Sequence, residues 1–342
     1  MAAEIGKDIL RAEQLLKHGE LVAIPTETVY GLAANALDAK AVLKIFEVKN
    51  RPHFDPLIVH IGEAEMLNRY VMSVPRWAEE LANEFWPGPL TLILPKRENI
   101  PDIATSGLET VGVRMPDHEM TRDLLKRLDF PLAAPSANPF GYISPTSAQH
   151  VADQLGEKIE YILDGGECIV GLESTIVGEV DGEPTVLRLG GITVESIERV
   201  LGPVKVDTSS SSDPRNPGSL EQHYSPRLPL RFIDEVEEFD KERVGLLAFS
   251  SLNENVPIDR QVILSRSSSL EEAAVNLFAG LRKLDKMTVD LILVERFPNE
   301  GLGRAINDRL ERASHTAISA SMAQQVSDDT HEATSNDQNE AS

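Results

Sequence analysis

LVAIPTETVYGL, residues 21–32, poses the question on which the fold reading turns. Leu21 to Ile24 are apolar, with the β-branched content of a buried strand. Pro25 ends that strand, because it has no N–H to give to a ladder. The next residues are odd for a connecting loop. Thr26, Glu27, Thr28 and Tyr30 crowd hydroxyls and a carboxylate at the strand's mouth before Gly31 lets an apolar run resume.

Strand-like runs of the same kind recur: LIVHI (57–61), LTLIL (90–94), TVGVRM (110–115), PLAA (131–134), YILD (161–164), STIVGEV (174–180) and TVLRL (185–189). Helix-like periodicity separates them. Residues 1–20 read as an amphipathic helix with Ile5, Ile9, Leu15 and Leu16 inward. A second helix spans 38–49, opened by Asp38 as N-cap with Val42, Ile45 and Phe46 on one face. Others are expected at 75–84, 117–128, 145–155 and 193–201. Strands interspersed with helices predict an α/β layer fold on a twisted mixed sheet.

The pattern changes after Gly202. Residues 203–228 are rich in Ser, Pro and Asp and read as a linker, although its end, SLEQHYSP, is more specific than a tether requires. A smaller Rossmann-like α/β unit is expected over 229–326, with LRFI, VGLLAF, QVIL and DLILVERF as strands and a helix at Leu270–Leu284. The tail 327–342 holds acids and no Lys or Arg, and is expected to be disordered.

Composition narrows the classes. The chain has 342 residues, 41% of them apolar, enough for two cores. A single cysteine, Cys168, excludes a disulfide framework and a multi-cysteine zinc site. The amino end lacks the apolar core of a signal peptide, and no apolar run approaches the ~20 residues of a membrane span. A cytoplasmic protein is expected. The formal charge of −22 disfavours binding to nucleic acid through its phosphates. Against that background, cations set beside glycines and hydroxyls mark an anion site.

Four stretches carry such groups. KNRPHFDPL (49–57) puts Lys49 and Arg51 on a proline-stiffened loop, where they also complement a helix C-terminus. TVGVRM puts Thr110, Gly112 and Arg114 on one strand face, a bare glycine between a hydroxyl and a guanidinium suited to carboxylate or phosphate. APSANPFGYISPT (134–146) carries Ser136 and Asn138 in a turn, then Ser144–Pro145 as N-cap and first helical residue. GLESTIVGEV and TVLRLGG add Ser174, Thr175 and Arg188. His60, inside LIVHI, reads by itself as a core histidine. No P-loop, no dinucleotide fingerprint and no metal-ligand spacing is present.

Taken in order, PTETVYGL, KNRPHFDPLIVHI, WPGPLTLIL, VGVRMP, APSANPFGYISPT, ESTIV and VLRLGG resemble the YrdC-like threonylcarbamoyl-AMP synthases over about residues 5–202. NPGSLEQHYSP resembles the linker of the long two-domain form, and 229–320 its accessory domain. The resemblance implies a catalytic unit 1–202, a linker over 203–228 that closes the site, and an accessory unit 229–326. It implies synthesis of L-threonylcarbamoyl-AMP from L-threonine, bicarbonate and ATP, with Mg²⁺ carried by the phosphates and no metal ligand from the protein. A partner transferase would then modify tRNA. Thr28, His60, Arg114, Ala134 and Ser174 would hold threonine. Arg51, Asp55, Thr110, Ser136, Asn138, Ser144, Arg188, Tyr224 and Ser225 would meet ATP, with Lys49 and Arg51 neutralising phosphate charge. Asp55 departs from the asparagine common in the family, and a carboxylate there repels triphosphate unless Mg²⁺ intervenes or the group points away.

Two rivals are weighed against this reading. Some YrdC-like proteins are described as binding double-stranded RNA, which the acidic balance opposes. Hydrogenase-maturation carbamoyltransferases carry a related domain, but with cysteine-rich zinc motifs that a chain with only Cys168 lacks.

Overall fold

The computed structural model describes residues 2–208 and 224–314. The expected linker therefore falls partly, and the acidic tail wholly, outside the described residues. Among the described residues, eleven strands form one mixed sheet. Its order is Glu4–Gly6, Tyr161–Leu163, Val22–Ile24, Gly31–Asn35, Leu132–Ala133, Ile58–His60, Thr110–Arg114, Leu90–Pro95, Thr175–Val180, Glu183–Arg188 and Lys205–Val206. The central strands are buried along their length, which is why they read as continuous apolar runs rather than alternating ones.

Most expected elements form where their caps and periodicity put them. Helix Ala39–Lys49 starts at Asp38, whose carboxylate accepts from the Lys40 N–H, and buries Val42, Ile45 and Phe46. Three expectations need correction. Residues 4–6 are an edge strand paired with Tyr161–Leu163, and Ile5 is exposed. The first helix, Ile9–Lys17, cannot start earlier because Asp8 caps it, accepting from Leu10 and Arg11 N–H. Next, Gly31–Asn35 is a strand, antiparallel to Val22–Ile24, so 25–30 is a hairpin loop. Finally, the helix expected from 145 begins at Ala148, with Ser147 as N-cap accepting from His150 N–H. Ser144 is not a cap; its hydroxyl donates to Glu173 Oε1 at 2.6 Å.

The second unit is a four-stranded, all-parallel sheet in the order Leu230–Phe232, Leu291–Val294, Val244–Ala248, Gln261–Ile263. Helix Leu270–Asp285 crosses between its last two strands in sequence, and a final helix runs over 301–314. The two units share one apolar core. Val29, Ile143, Leu172 and Tyr224 pack with Leu277, Phe278 and Leu281 of the second unit. Among the described residues, no helix is long and apolar enough to cross a membrane.

Candidate active site

Strand register builds the floor of a cleft. His60 pairs laterally with Arg114 on the parallel neighbour, and Thr91 faces Arg114 from the other side. Thr175 pairs with Leu90 one strand further on, which sets Ser174 beside Thr91; their hydroxyls lie 2.7 Å apart. The hairpin loop 25–30 hangs over this floor. Residues 134–136 form the opposite wall, and Gly31 bridges to Ser136. The cleft encloses about 510 Å³, space open to solvent included. Thr28, His60, Arg114, Ala134 and Ser174 line it, together with Arg51, Ser136, Arg188 and Tyr224.

Each cation in the cleft has a protein partner that fixes its direction. Arg114 donates through Nη1 to Thr28 Oγ1 at 2.9 Å and through Nε to the Gly88 carbonyl at 3.3 Å, while Nη2 lies 2.6 Å from Glu27 Oε1. Arg51 pairs with Asp55 at 2.8 Å and donates to the Pro56 carbonyl at 2.9 Å. The Asp55 carboxylate thus points at a guanidinium. Arg188 reaches the Ser174 carbonyl and hydroxyl through Nη2 at 2.8 and 3.0 Å. A register shift between Val186 and Arg188 turns the strand and aims that side chain. The LGG turn approaches so closely that a Cβ on Gly190 would sit 2.3 Å from the Glu173 carbonyl oxygen. Glycine alone permits that approach.

The loop threonines form a chain with a single sense. Thr26 Oγ1 lies 2.6 Å from the Val29 carbonyl, which only accepts, so the one Thr26 hydroxyl proton is committed there. The Thr28 hydroxyl, 2.8 Å from Thr26 Oγ1, must then donate toward Thr26.

Burial tunes the titrating groups. Burial, then the Arg114 charge, lowers His60 to about 3, so its imidazole is neutral. His60 is buried within its strand as a core histidine would be, yet it lines the cleft and its Nδ1 has no protein hydrogen bond. Burial lowers Arg51 and Arg188 from the ordinary arginine value and pushes Tyr224 up to about 12.

Known proteins resemble this chain in both sequence and architecture. A family model for the Sua5, YciO and YrdC proteins, described as telomere recombination, matches residues 14–190. A second, described as the C-terminal domain of threonylcarbamoyl-AMP synthase, matches 192–315. A threonylcarbamoyl-AMP synthase of Pyrococcus abyssi is 43% identical over 321 residues, covering 89% of this chain and 93% of its own.

The chain belongs to the threonylcarbamoyl-AMP synthase family.

That family is one of nucleotidyltransferase-type enzymes, and the chain has its long, two-unit form. A Bacillus subtilis synthase is 42% identical over 90% of this chain and 92% of its own. The crystal structure of P. abyssi Sua5 complexed with L-threonine superposes with a TM-score of 0.84 at 40% identity, covering 93% of this chain and 98% of that one.

Not every residue expected at the synthase site lines the cleft. Lys49 is buried behind it, its ammonium donating to the carbonyls of Ser136 and Asn138, and burial followed by Arg51 pulls it well below the ordinary lysine value. Asn138 braces the same turn, donating to the Pro139 and Tyr142 carbonyls at 2.8 Å. Ser225 pairs with Tyr142, its N–H donating to the Gly141 carbonyl at 2.8 Å. Thr110 lines a separate small hollow with Gly112 and Pro56, so the glycine floor expected beneath the ligand belongs to that hollow.

The sequence singles out Glu27 at the strand's mouth but assigns it no role, and Glu173 goes unremarked inside the quoted ESTIV motif. Both carboxylates hold arginines, Glu27 pairing with Arg114 and Glu173 with Arg309. Arg309, which donates through Nε to Glu173 Oε2 at 2.9 Å, carried no local signal, being 136 positions away.

Proposed function

We propose that this synthase-family protein makes L-threonylcarbamoyl-AMP from L-threonine, bicarbonate and ATP, releasing pyrophosphate. Its product would serve a transferase that modifies the tRNA adenosine beside the anticodon. The observation that carries the reading is the convergence of Arg51, Arg114 and Arg188, with Thr28, His60 and Ser174, in one cleft. The L-threonine complex of the P. abyssi relative supports the amino acid as a substrate. In this proposal 1–202 is the catalytic unit, 203–228 the connection and 229–326 the accessory unit.

Arg114, Thr28, His60, Ser174 and the Ala134 backbone hold threonine. The arginine takes its carboxylate and the neutral imidazole turns its open nitrogen to the amino acid. The amine adds to bicarbonate or its CO₂, with loss of water or a proton, to give N-carboxy-threonine. The new carboxylate attacks the α-phosphorus, and pyrophosphate leaves. Arg51, Ser136, Arg188 and Tyr224 face the nucleotide in the cleft. Ser144 and Asn138 shape that wall, and Lys49 holds the Ser136 turn. Asp55 serves as the counter-charge of Arg51, while Thr110 and Ser225 flank the site. No side chain is needed as a nucleophile. Positioning of three reactants supplies the rate, a contribution worth ~7–11 kcal/mol in well-oriented systems.

The cleft carboxylates do not form a metal-ligand set. Glu27 and Asp55 are paired with arginines, and Glu173 takes a hydroxyl and Arg309. Among the described residues no His/Cys/Asp/Glu group suits an ion. Mg²⁺ enters the proposal only as the counter-ion of ATP phosphates, and no step runs through it. The net charge of −22 supports weak or no direct tRNA binding, and the proposed setting is the cytoplasm, without a membrane partner.

The test is pyrophosphate release from ATP by the full chain, with threonine and bicarbonate each omitted in turn. Release that requires both is expected. Release indifferent to threonine overturns the reading.

A further inference from the structure

Glu173 is a buried wall of the cleft, and both its oxygens are engaged. Oε1 accepts from Ser144, and Oε2 accepts from Arg309 at 2.9 Å. Arg309 comes from the last helix, in the accessory unit, and its side chain is fully buried. Its Nη2 donates to the Leu189 carbonyl at 2.7 Å, next to Arg188. Its guanidinium carbon lies 4.9 Å from the centre of the Tyr224 ring. That tyrosine holds a left-handed backbone, φ 65°, which a bulky residue adopts only when its surroundings enforce it. One guanidinium therefore touches three separate pieces of the cleft wall: the ESTIV loop, the LRLGG turn and the end of the linker. Ser144 is held from the other side by Arg282 of helix Leu270–Asp285, whose Nε donates to its carbonyl at 3.3 Å.

Open parallel sheets take ligands at the carboxyl ends of their strands. In the accessory sheet Phe249 and Phe297 stand at that end with ring centres 5.0 Å apart, and Glu295 accepts from the Phe249 N–H. Arg309 and Arg282 carry contacts from this unit to the cleft wall.

We propose that Arg309 is a positioning residue of the synthase site, acting through Glu173 and Tyr224 to set the nucleotide end of the cleft. The inference rests on the function proposed above. A second cross-unit contact serves as comparison: Arg304 pairs with Glu195 at 3.2 Å on the surface, away from the cleft. Stabilisation of the unit interface alone would make the two contacts alike in kind. Positioning makes only Arg309 matter to nucleotide.

The experiment uses the full chain and the variants Arg309→Lys, Glu173→Gln, Arg309→Met/Glu173→Gln and Arg304→Ala. Circular dichroism checks folding. Pyrophosphate release gives KM for ATP and for threonine, and calorimetry gives binding of a non-hydrolysable ATP analogue. Arg309→Lys keeps the charge but loses the fork, and is expected to raise the ATP KM and the analogue Kd about tenfold with the threonine KM little changed. The double variant is expected to keep the rise in ATP KM of Glu173→Gln and to exceed it only by the share that Arg309 carries through Tyr224. Arg304→Ala is expected to change neither KM. A folded Arg309→Lys with unaltered ATP KM and analogue binding overturns the inference, as do equal effects of Arg309→Lys and Arg304→Ala. If Arg309→Lys does not fold, Glu173→Gln with unaltered ATP KM overturns it. An unmodified chain that releases no pyrophosphate with all three substrates present overturns the proposed function, and analogue binding still reads the effect of Arg309.

Discussion

A carboxylate at position 55 lies 2.8 Å from the Arg51 guanidinium; the Asp55 side chain is fully buried, and that of Arg51 is nearly so. Sequence alone presents Asp55 as a repulsive neighbour for phosphate. The structure gives it a counter-charge, so the cleft is less positive than its arginines suggest. Asp55→Asn is expected to tighten the ATP analogue about two- to tenfold by removing a negative charge, and to lower stability by ~1–3 kcal/mol because Arg51 loses its ionised partner. Calorimetry and thermal unfolding measure the two effects. Arg114→Ala removes a charged hydrogen-bond donor and is expected to raise the threonine KM about 10–100-fold with a smaller change for ATP. His60 gives a pH signature. Unfolded, it takes a proton near 6.5; folded, near 3. Protons therefore favour the unfolded chain, and stability falls as pH drops from about 6.5 toward 3, by up to ~1.4 kcal/mol per pH unit. His60→Gln should flatten this limb, leaving the share of His150, which is lowered to about 4. A denaturant series against pH checks it. Residue identities of the arginines and hydroxyls were legible because they are unusual beside glycine in an acidic chain. Their partners were not, because pairing is set by register between strands far apart in sequence.

At the scale of elements, local rules succeeded where cap and period agreed. Asp38 and the apolar face behind it set the helix start at Ala39. They failed where two candidates competed. Ser144–Pro145 and Ser147 both offer an N-cap, and tertiary demand decides: Ser144 is drawn to Glu173, leaving Ser147 for the helix. Ser147→Ala is expected to cost about 1 kcal/mol of stability and leave both KM values intact, whereas Ser144→Ala should change the ATP KM. The short strand Gly31–Asn35 escaped notice because its GLAAN composition has little β-propensity, and pairing on both sides holds it. Gly171 marks another tertiary constraint. Its φ is 75°, and a Cβ there would sit 2.4 Å from the Ala274 carbonyl oxygen of helix Leu270–Asp285. Gly171→Ala is expected to destabilise by roughly 1–3 kcal/mol through backbone strain and a forced shift between units, read as a lower Tm.

At the scale of the whole molecule, the alternation of strands and helices revealed two α/β units, but not that they share a core. Tyr224, Val29, Ile143 and Leu172 belong to the apolar cluster of the second unit while two of them, Tyr224 and Val29, also line the cleft. Packing of that kind predicts one cooperative unfolding transition rather than two, checked by agreement of calorimetric and van't Hoff enthalpies. A chain ended after Thr208 would expose this surface, and is expected to bind ATP poorly and to aggregate on heating. No sequence window contains such a contact, since the groups that meet come from opposite ends of the chain.

The ordered pair of threonine hydroxyls in the hairpin loop has a consequence for selection. With its own hydrogen turned inward, Thr28 faces the cleft with a lone pair only. A visitor must therefore bring an ammonium or hydroxyl to that spot; a second oxygen anion would meet like polarity. Serine at 28 would preserve this polarity filter, while valine, equal in shape, would abolish it.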